Sequence, residues 1–340
     1  MNLIHETPYA GDLLFGLDRV GHDVCTAVLK ATFRVAPDGT LSVAPKQRSL
    51  CGVDAHVGPP GRSSVLAESD AAYIKPATDV VAIGHAHAPG GRPTASCDVA
   101  LCVGPIRKRL CVVGDRYWRW LPILGLRASR PRPFVRMPLH WERAFGGADP
   151  AAAESGDVAF DERNPVGTGY ARRRRALDGV ALPNFQPSRS ARRRGLRRAG
   201  PLGLGYVGRA WLPRRRYAGT YDAAWQRDRM PLLPLDFDER FFNAAPPDQI
   251  VPGYLRGGEE VVALHLSEQG RDAFRLPRLE VRFEGLSMGR RIDVPGILDT
   301  LVLDLGEREV VLIWRASYRV RLSEAADFAY ARVIGEVDAR

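Results

Sequence analysis

Alternating apolar and polar positions predict β-strands near both ends of the chain. Near the N-terminus, "DVCTAVLKATFRV" alternates as a half-buried strand does, and the Asp-Gly of "PDGT" after it indicates a turn. Two apolar runs joined by a basic Gly-Pro turn predict a hairpin over Asp98–Trp118. Towards the C-terminus, "LGERE" separates two β-branched runs and predicts another hairpin.

The last residues show a different period. Ala326, Tyr330, Val333 and Val337 recur at three to four residues, which predicts an amphipathic helix over residues 324–340. Two segments near opposite ends, "VLKATFRV" and "IWRASYRV", have the same order of residue types. They indicate two related β-halves that meet across a sheet, with chance similarity between strands as the alternative.

Residues 121–260 lack clear periodicity. They hold 15 of the 26 prolines and also 15 of the 28 aromatic residues, whereas disordered segments are poor in aromatics. We therefore expect an ordered but irregular layer pinned by aromatic side chains. The fold class predicted is mainly β (β-rich α+β), with antiparallel sheets from both ends forming a sandwich-like core. We expect a single domain over residues 1–340.

Composition narrows the cellular setting. No apolar run is long enough to span a bilayer, and the start "MNLIHETPYAGDLL" lacks the features of a signal peptide. The five cysteines include no C-x-x-C pair, which argues against a disulfide framework or a zinc ribbon. The expectation is a cytoplasmic protein that does not act in a membrane.

The net charge of +10 is concentrated in one segment. The stretch from Arg172 to Arg216 holds 14 arginines against the single acid Asp178, a local +13 that leaves −3 elsewhere. Only four of the 49 basic residues are lysine, so coding bias contributes to the arginine content. A solvated loop, a surface that docks an acidic protein and a nucleic-acid site are the alternatives. Nucleic acid is disfavoured because no recognition motif accompanies the arginines.

His85 and His87 are the strongest candidates for metal chemistry. Side chains at i and i+2 of a strand share a face, so the two imidazoles could bind one metal ion. A catalytic zinc site needs a third protein ligand, and the possible ones have no diagnostic spacing. A metal-dependent hydrolase therefore stays an alternative to two polar residues at a strand end.

Nucleotide and nucleophile motifs add nothing to the case for an enzyme. "GLGYVG" at 203–208 matches G-x-G-x-x-G, but arginines precede it where a strand is required, and Pro213 follows where a helix is required. The chain contains no G-x-S-x-G, H-E-x-x-H or S-x-x-K. We expect no enzyme activity and no cofactor.

Several stretches occur in an order that resembles a bacterial family. They include "VLKATFRV", "SDAAYIKPATDVVAIGHAHAP", "PFVRMPLHWERAFGG", "GPLGLGYVGRAW" and "AGTYDAAWQRDRMPLLPLDFDERFFNAAPPDQ", and the similarity runs from about Val28 to about Leu276. The family is of unknown function, and its members are typically encoded beside type VI secretion genes. The resemblance implies an effector adaptor or chaperone with three partners: a toxic effector, the VgrG spike and a PAAR-repeat tip protein.

An adaptor of this kind needs an exposed, aromatic and partly basic surface. The predicted partner-binding residues are Arg172, Arg173, Arg174, Arg175, Arg192, Arg193, Arg194, Trp211 and Trp225. Trp118, Trp120 and Trp141 are further candidates. For each tryptophan the alternative is an ordinary place in the core.

Overall fold

The computed structural model of the chain describes residues 3–5, 7–151, 159–188, 200–287, 290–320 and 329–334. These residues form many strands and one short α-helix, so the mainly β fold predicted from the sequence is confirmed. The strands are β1 (Ile4–His5), β2 (Ala10–Leu17), β3 (Asp23–Val35), β4 (Leu41–Val43), β5 (Ala55–His56), β6 (Val65–Ala67), β7 (Asp79–Ala82), β8 (His85–His87), β9 (Ser96–Val103), β10 (Ile106–Val113), β11 (Trp118–Leu121), β12 (Gly125–Ala128), β13 (Arg136–Pro138), β14 (Phe145–Gly146), β15 (Thr168–Gly169), β16 (Phe185–Pro187), β17 (Glu260–Leu264), β18 (Arg271–Arg275), β19 (Glu280–Ser287), β20 (Arg290–Pro295), β21 (Ile297–Asp304), β22 (Glu309–Arg319) and β23 (Ala329–Ile334).

Helical structure is short and lies mostly in the central region. The α-helix α1 spans Ala223–Asp228. The 3-10 turns are Pro89–Gly91, Trp141–Arg143, Arg174–Leu177, Arg214–Tyr217, Glu239–Phe242 and Pro247–Gln249. In the described part of residues 121–260, no helix or strand is longer than the six residues of α1. This agrees with the irregular layer predicted there.

A six-stranded sheet joins the two ends of the chain. Its order is β2-β3-β22-β21-β7, with β4 paired to β3; β7 runs parallel to β21 and the other pairs are antiparallel. The two similar segments lie on the adjacent strands β3 and β22, where Lys30 pairs with Ile313. The prediction that they meet in one sheet is confirmed, and their origin as related halves stays a hypothesis.

Two further sheets complete the framework. The hairpin predicted over Asp98–Trp118 forms as β9 and β10 over Ser96–Val113, inside the antiparallel sheet β16-β10-β9-β17-β18, whereas Trp118 begins the separate strand β11. The other sheet has the order β1-β23-β19-β20. Leu29, Leu101 and Phe283, one from each sheet, belong to a single hydrophobic cluster, so the core lies between the sheets.

The predicted C-terminal helix over 324–340 is wrong where the structure describes it. Residues Ala329–Ile334 form strand β23, which pairs antiparallel with β19 and parallel with β1. Strand pairing with distant residues overrides a short helical period in such a segment. The remainder of the predicted helix lies outside the described residues.

Strand β3 is buried on both faces, so the prediction of a half-buried strand is also wrong. Its outer face carries Val28, which packs with Tyr206 and Ala244 from the central region. Gln249 donates from Nε2 to the carbonyl oxygens of Val80 (2.7 Å) and Leu204 (3.0 Å). The irregular central segment therefore covers the outer face of the six-stranded sheet.

Charged side chains are buried between that face and its cover, in a group that we call the buried ion cluster. Its members are Lys30, Glu68, Asp70, Lys75, Asp79, Arg214, Asp299 and Arg315, each at most 7% exposed. Its ion pairs are Lys30–Asp70 (3.0 Å), Lys75–Asp79 (2.9 Å), Lys75–Glu68 (3.5 Å), Arg214–Glu68 (2.5 Å) and Arg315–Asp299 (2.5 Å). Buried charges persist only when they are paired in this way.

A β-bulge supplies one of these partners. The register between β21 and β22 shifts between Leu298 and Thr300, so Asp299 is the extra residue. Thr300 donates from Oγ1 to Asp299 Oδ1 (2.8 Å), and Arg315 pairs with the other carboxylate oxygen. The bulge thus lets two consecutive side chains of β21 contact the cluster: Asp299 is a member of it, and Thr300 Oγ1 accepts from Lys75 Nζ.

Candidate functional site

Strands β11 and β12 form a separate two-stranded hairpin, residues 118–128, that we call the tryptophan hairpin. Trp118 pairs with Ala128, and Trp120 pairs with Leu126. Residues 122–124 connect the strands. The hairpin belongs to none of the three larger sheets.

The segment 171–180 packs against the hairpin and is hydrogen-bonded to it. Leu126 is buried in a small cluster with Ala171 and Leu177, and Trp118 packs against it. The amide of Trp118 donates to Val180 O (2.9 Å), and the amide of Trp120 donates to Asp178 Oδ1 (2.7 Å). These hydrogen bonds satisfy backbone N–H groups on one edge of β11, whereas the tip at residues 122–124 extends beyond segment 171–180.

The tip is apolar and exposed. Ile123 is fully exposed, Leu124 is 57% exposed and Trp120 is 44% exposed. Leu121 is 39% exposed beside them. Contiguous exposed apolar side chains are typical of an interaction surface. The sequence signal for this tip is the run "WLPIL" at 120–124, which is apolar at every position across a turn.

The predicted arginine run flanks this tip. Arg172 to Arg175 are all exposed, and Arg174 begins a 3-10 turn that ends at Leu177 under the hairpin. The guanidinium carbon of Arg175 lies 5.4 Å from the centre of the Trp120 ring, within the range of a cation–π contact. The structure therefore places Arg175, the last residue of the exposed run Arg172–Arg175, against Trp120 in an exposed, aromatic and basic surface.

Replacement of Ile123 by glycine is expected to raise the free energy of unfolding by about 1 kcal/mol. Ile123 has φ +69°, in the left-handed region that a β-branched residue rarely adopts and glycine adopts freely. Chemical denaturation monitored by circular dichroism measures the change.

Leu124→Gly is the matched control, because Leu124 is also exposed and is not among the positive-φ residues. Glycine there only adds chain entropy to the unfolded state, so we expect a loss of about 0.5–1 kcal/mol. Equal losses in the two variants would show that Ile123 is not strained.

The other predicted partner-binding residues lie elsewhere. Arg192, Arg193 and Arg194 lie outside the described residues. Trp211 is only 5% exposed and meets Trp141 edge-to-face at 5.9 Å between ring centres, so both are core residues. Trp225 is partly buried, and its indole N–H donates to the Leu232 carbonyl (2.8 Å).

His85 and His87 lie on strand β8, where Arg136 and Pro138 of β13 pair with them. Arg136 Nη2 donates to His85 Nδ1 (3.3 Å), and this bond uses a lone pair that a metal would need. Burial lowers the pKa of both imidazoles, and the Arg136 charge lowers it further. Among the described residues, no group of three or more His, Cys, Asp or Glu side chains could hold a metal ion.

Substitution of Arg136 by glutamine is expected to raise the pKa of both His85 and His87, because it removes a repelling charge. Each folded-state pKa lies below the ordinary 6.5, so stability contributed by the neutral rings is present above 6.5 and is lost as the pH falls through the folded values. Arg136→Gln raises both folded-state pKa values towards 6.5, so the pH range between them and 6.5 over which this stability is lost becomes narrower. An NMR pH titration of the imidazole protons measures both values, and unchanged values would contradict the assignment.

The "GLGYVG" stretch serves packing. A Cβ atom on Gly203 would lie 2.8 Å from the Trp141 ring, and one on Gly208 would lie 2.7 Å from the Trp211 ring. The glycines thus allow the chain to pass close to two buried indoles. The described residues next to it, 200–202 before and 209–213 after, form neither a strand nor an α-helix.

These features define a β-rich protein with an exposed aromatic hairpin flanked by arginines. Residues 20–315 match a family described as an uncharacterized protein conserved in bacteria (DUF2169), and the chain belongs to that family. The resemblance to a bacterial family of unknown function is confirmed to this extent. No curated protein and no solved structure matches the chain.

Within the described part of the chain, every helix is too short or too polar to cross a membrane.

Proposed function

We propose that the protein is a non-catalytic adaptor of a type VI secretion system, which binds a toxic effector in the cytoplasm and helps to load it onto the VgrG spike and its PAAR tip. The observation that carries the proposal is the exposed apolar tip of the tryptophan hairpin beside Arg172–Arg175. The family resemblance described above supplies the cellular setting.

The hairpin has the composition of a binding hot spot. Tryptophan and arginine are enriched among the residues that dominate protein–protein binding energies, and an apolar centre excludes water from the charged contacts around it. The tip of Trp120, Ile123 and Leu124 supplies apolar area. The arginines supply charge, which favours a client with acidic residues around an apolar patch.

A pull-down from the native organism tests this function. The tagged full-length protein is captured at near-physiological salt after nuclease treatment, and bound proteins are identified by mass spectrometry. We expect an effector encoded beside the gene, with VgrG or a PAAR protein. A Trp120→Ala bait should lose the effector, whereas a Val53→Ala bait, altered at an exposed apolar residue that no hairpin contact involves, should keep it.

Two outcomes would contradict the adaptor role. If the folded bait is recovered in abundance without an effector, VgrG or a PAAR protein, the adaptor role is contradicted. Binding of the purified protein to added nucleic acid, weakening steeply with salt, would instead favour a basic nucleic-acid-binding protein.

A further inference from the structure

Two neighbouring cavities lie in the central region, apart from the tryptophan hairpin. The larger has a volume of about 530 Å³, which is within the range of ligand-binding cavities. Its walls are mostly apolar, from side chains that include Trp141, Leu202, Leu212 and Pro246. No residue of the hairpin or of segment 171–180 lines it.

The smaller cavity, of about 230 Å³, shares part of its wall with the larger one. Pro213, Arg216 and Pro247 line both cavities and so form the border between them. An extended chain that entered one cavity could continue past this border into the other. The pair of cavities therefore suits a peptide segment better than a compact small molecule.

The charges around the larger cavity do not balance. Lys108 pairs with Asp248 (2.6 Å) and Arg163 pairs with Asp161 (2.6 Å). Within the described parts of the chain, Arg216 has no carboxylate partner; its Nη2 donates to the Tyr217 hydroxyl (2.8 Å) and its guanidinium lies 4.7 Å from that ring. One positive charge is thus left at the border.

Arg216 differs in this respect from the two arginines that precede it. Arg214 is buried and pairs with Glu68 (2.5 Å), and Arg215 is exposed and pairs with Glu162 (2.7 Å). Arg215 lines neither cavity. Three consecutive arginines therefore have three different environments, and only the third offers its charge to the cavities.

The chemistry of the walls limits the occupant further. Prolines have no backbone N–H, and Pro201, Pro213, Pro246 and Pro247 make up much of the wall of the larger cavity. The charged donors on this wall are the cationic side chains. An occupant must bury apolar groups and must bring its own acceptor for Arg216.

We propose that these cavities bind an extended peptide segment of a partner protein, with an apolar side chain in the larger cavity and a neighbouring Asp or Glu carboxylate on Arg216. An internal acidic side chain fits better than a chain terminus, because Arg216 lies where the peptide continues from one cavity to the other. This inference does not depend on the adaptor role, since it concerns a different surface.

The probe is a pentapeptide, Gly-Leu-Glu-Phe-Gly, capped at both ends so that its only carboxylate is the glutamate side chain. Binding is measured by calorimetry and by tryptophan fluorescence, because Trp141 forms part of the wall. We expect saturable binding that weakens on the order of 10-fold with Arg216→Gln, since a charge-assisted hydrogen bond is lost. Arg215→Gln, which changes the adjacent arginine, should leave the affinity unchanged.

Arg216 is exposed, and equal thermal midpoints of the two variants would show that both are folded. The peptide with glutamine in place of glutamate should bind as weakly as the native peptide binds Arg216→Gln. The proposal is overturned if no peptide binds, if the two arginine variants weaken binding equally, or if the glutamine peptide binds as well. A further peptide carries glutamine in place of glutamate and has a free C-terminus. If it binds as tightly as the capped glutamate peptide, Arg216 recognises a chain end and the internal site is overturned.

Discussion

Replacement of Lys75 by methionine is expected to lower the free energy of unfolding by about 3–5 kcal/mol. The Lys75 ammonium lies 2.9 Å from Asp79 and 3.5 Å from Glu68, and also donates to Thr300 Oγ1 (3.1 Å). Asp79 is fully buried and Glu68 is 7% exposed, so the variant leaves carboxylates without water and with less compensating charge. The penalty of a buried unpaired charge exceeds any gain from an apolar side chain of similar length.

The effect should persist across neutral pH. Burial alone would lower the pKa of Lys75, but the Asp79 and Glu68 carboxylates outweigh it and leave this pKa raised. A raised folded-state pKa gives stability that is fully present below the ordinary value of 10.5 and is lost only as the pH rises through the folded value.

Urea denaturation measures the stability lost in Lys75→Met, and urea is uncharged, so it does not screen the ion pairs. Arg227→Met is the control, because Arg227 pairs with Asp228 on the surface with both side chains at least 62% exposed, and such pairs contribute little. A Lys75→Met protein as stable as the control would show that the buried Lys75 ion pairs do not stabilise the fold.

Replacement of Trp120 by alanine is expected to weaken effector binding by about 30-fold or more, the effect of losing a hot-spot residue of about 2 kcal/mol. Trp120 presents its ring at the tip beside Arg175, and its side chain is 44% exposed in the free protein. Its loss should therefore cost binding more than folding. Calorimetry with the purified effector, together with the thermal midpoint, separates the two.

Arg175→Ala should have a smaller effect, because a cation–π contact at an exposed site contributes about 0.5–1 kcal/mol. Val53→Ala removes an exposed apolar side chain elsewhere and should change neither property. Undiminished affinity of both Trp120→Ala and Ile123→Gly for a confirmed effector would place the binding surface away from the hairpin.

Local patterns predicted much of this fold. The β9–β10 and β21–β22 hairpins were predicted because alternation and turn residues lie close together in the sequence. The C-terminal strand was missed because its pairing with β19 joins residues about 50 positions apart, and a short period of three to four residues was the stronger local signal.

The buried ion cluster could not be predicted from spacing. Arg214 and Glu68 are 146 residues apart in the sequence, and Lys30 and Asp70 are 40 apart. Of the candidate surface, the arginine run at 172–175 was predicted from its charge, whereas the exposed tip at Ile123 was not. Exposure of an apolar run depends on which elements happen to pack nearby, and the sequence carries only the run itself.

The lysines of this arginine-rich chain lead to a practical consequence. Lys30, Lys75 and Lys108 are each at most 6% exposed, whereas Lys46 is exposed. An amine-directed reagent therefore meets one lysine side chain on the folded protein and four on the unfolded chain. Lys46 offers a single side-chain amine for attaching a dye or a surface linker, and the appearance of further modified lysines reports the opening of the fold around the other three.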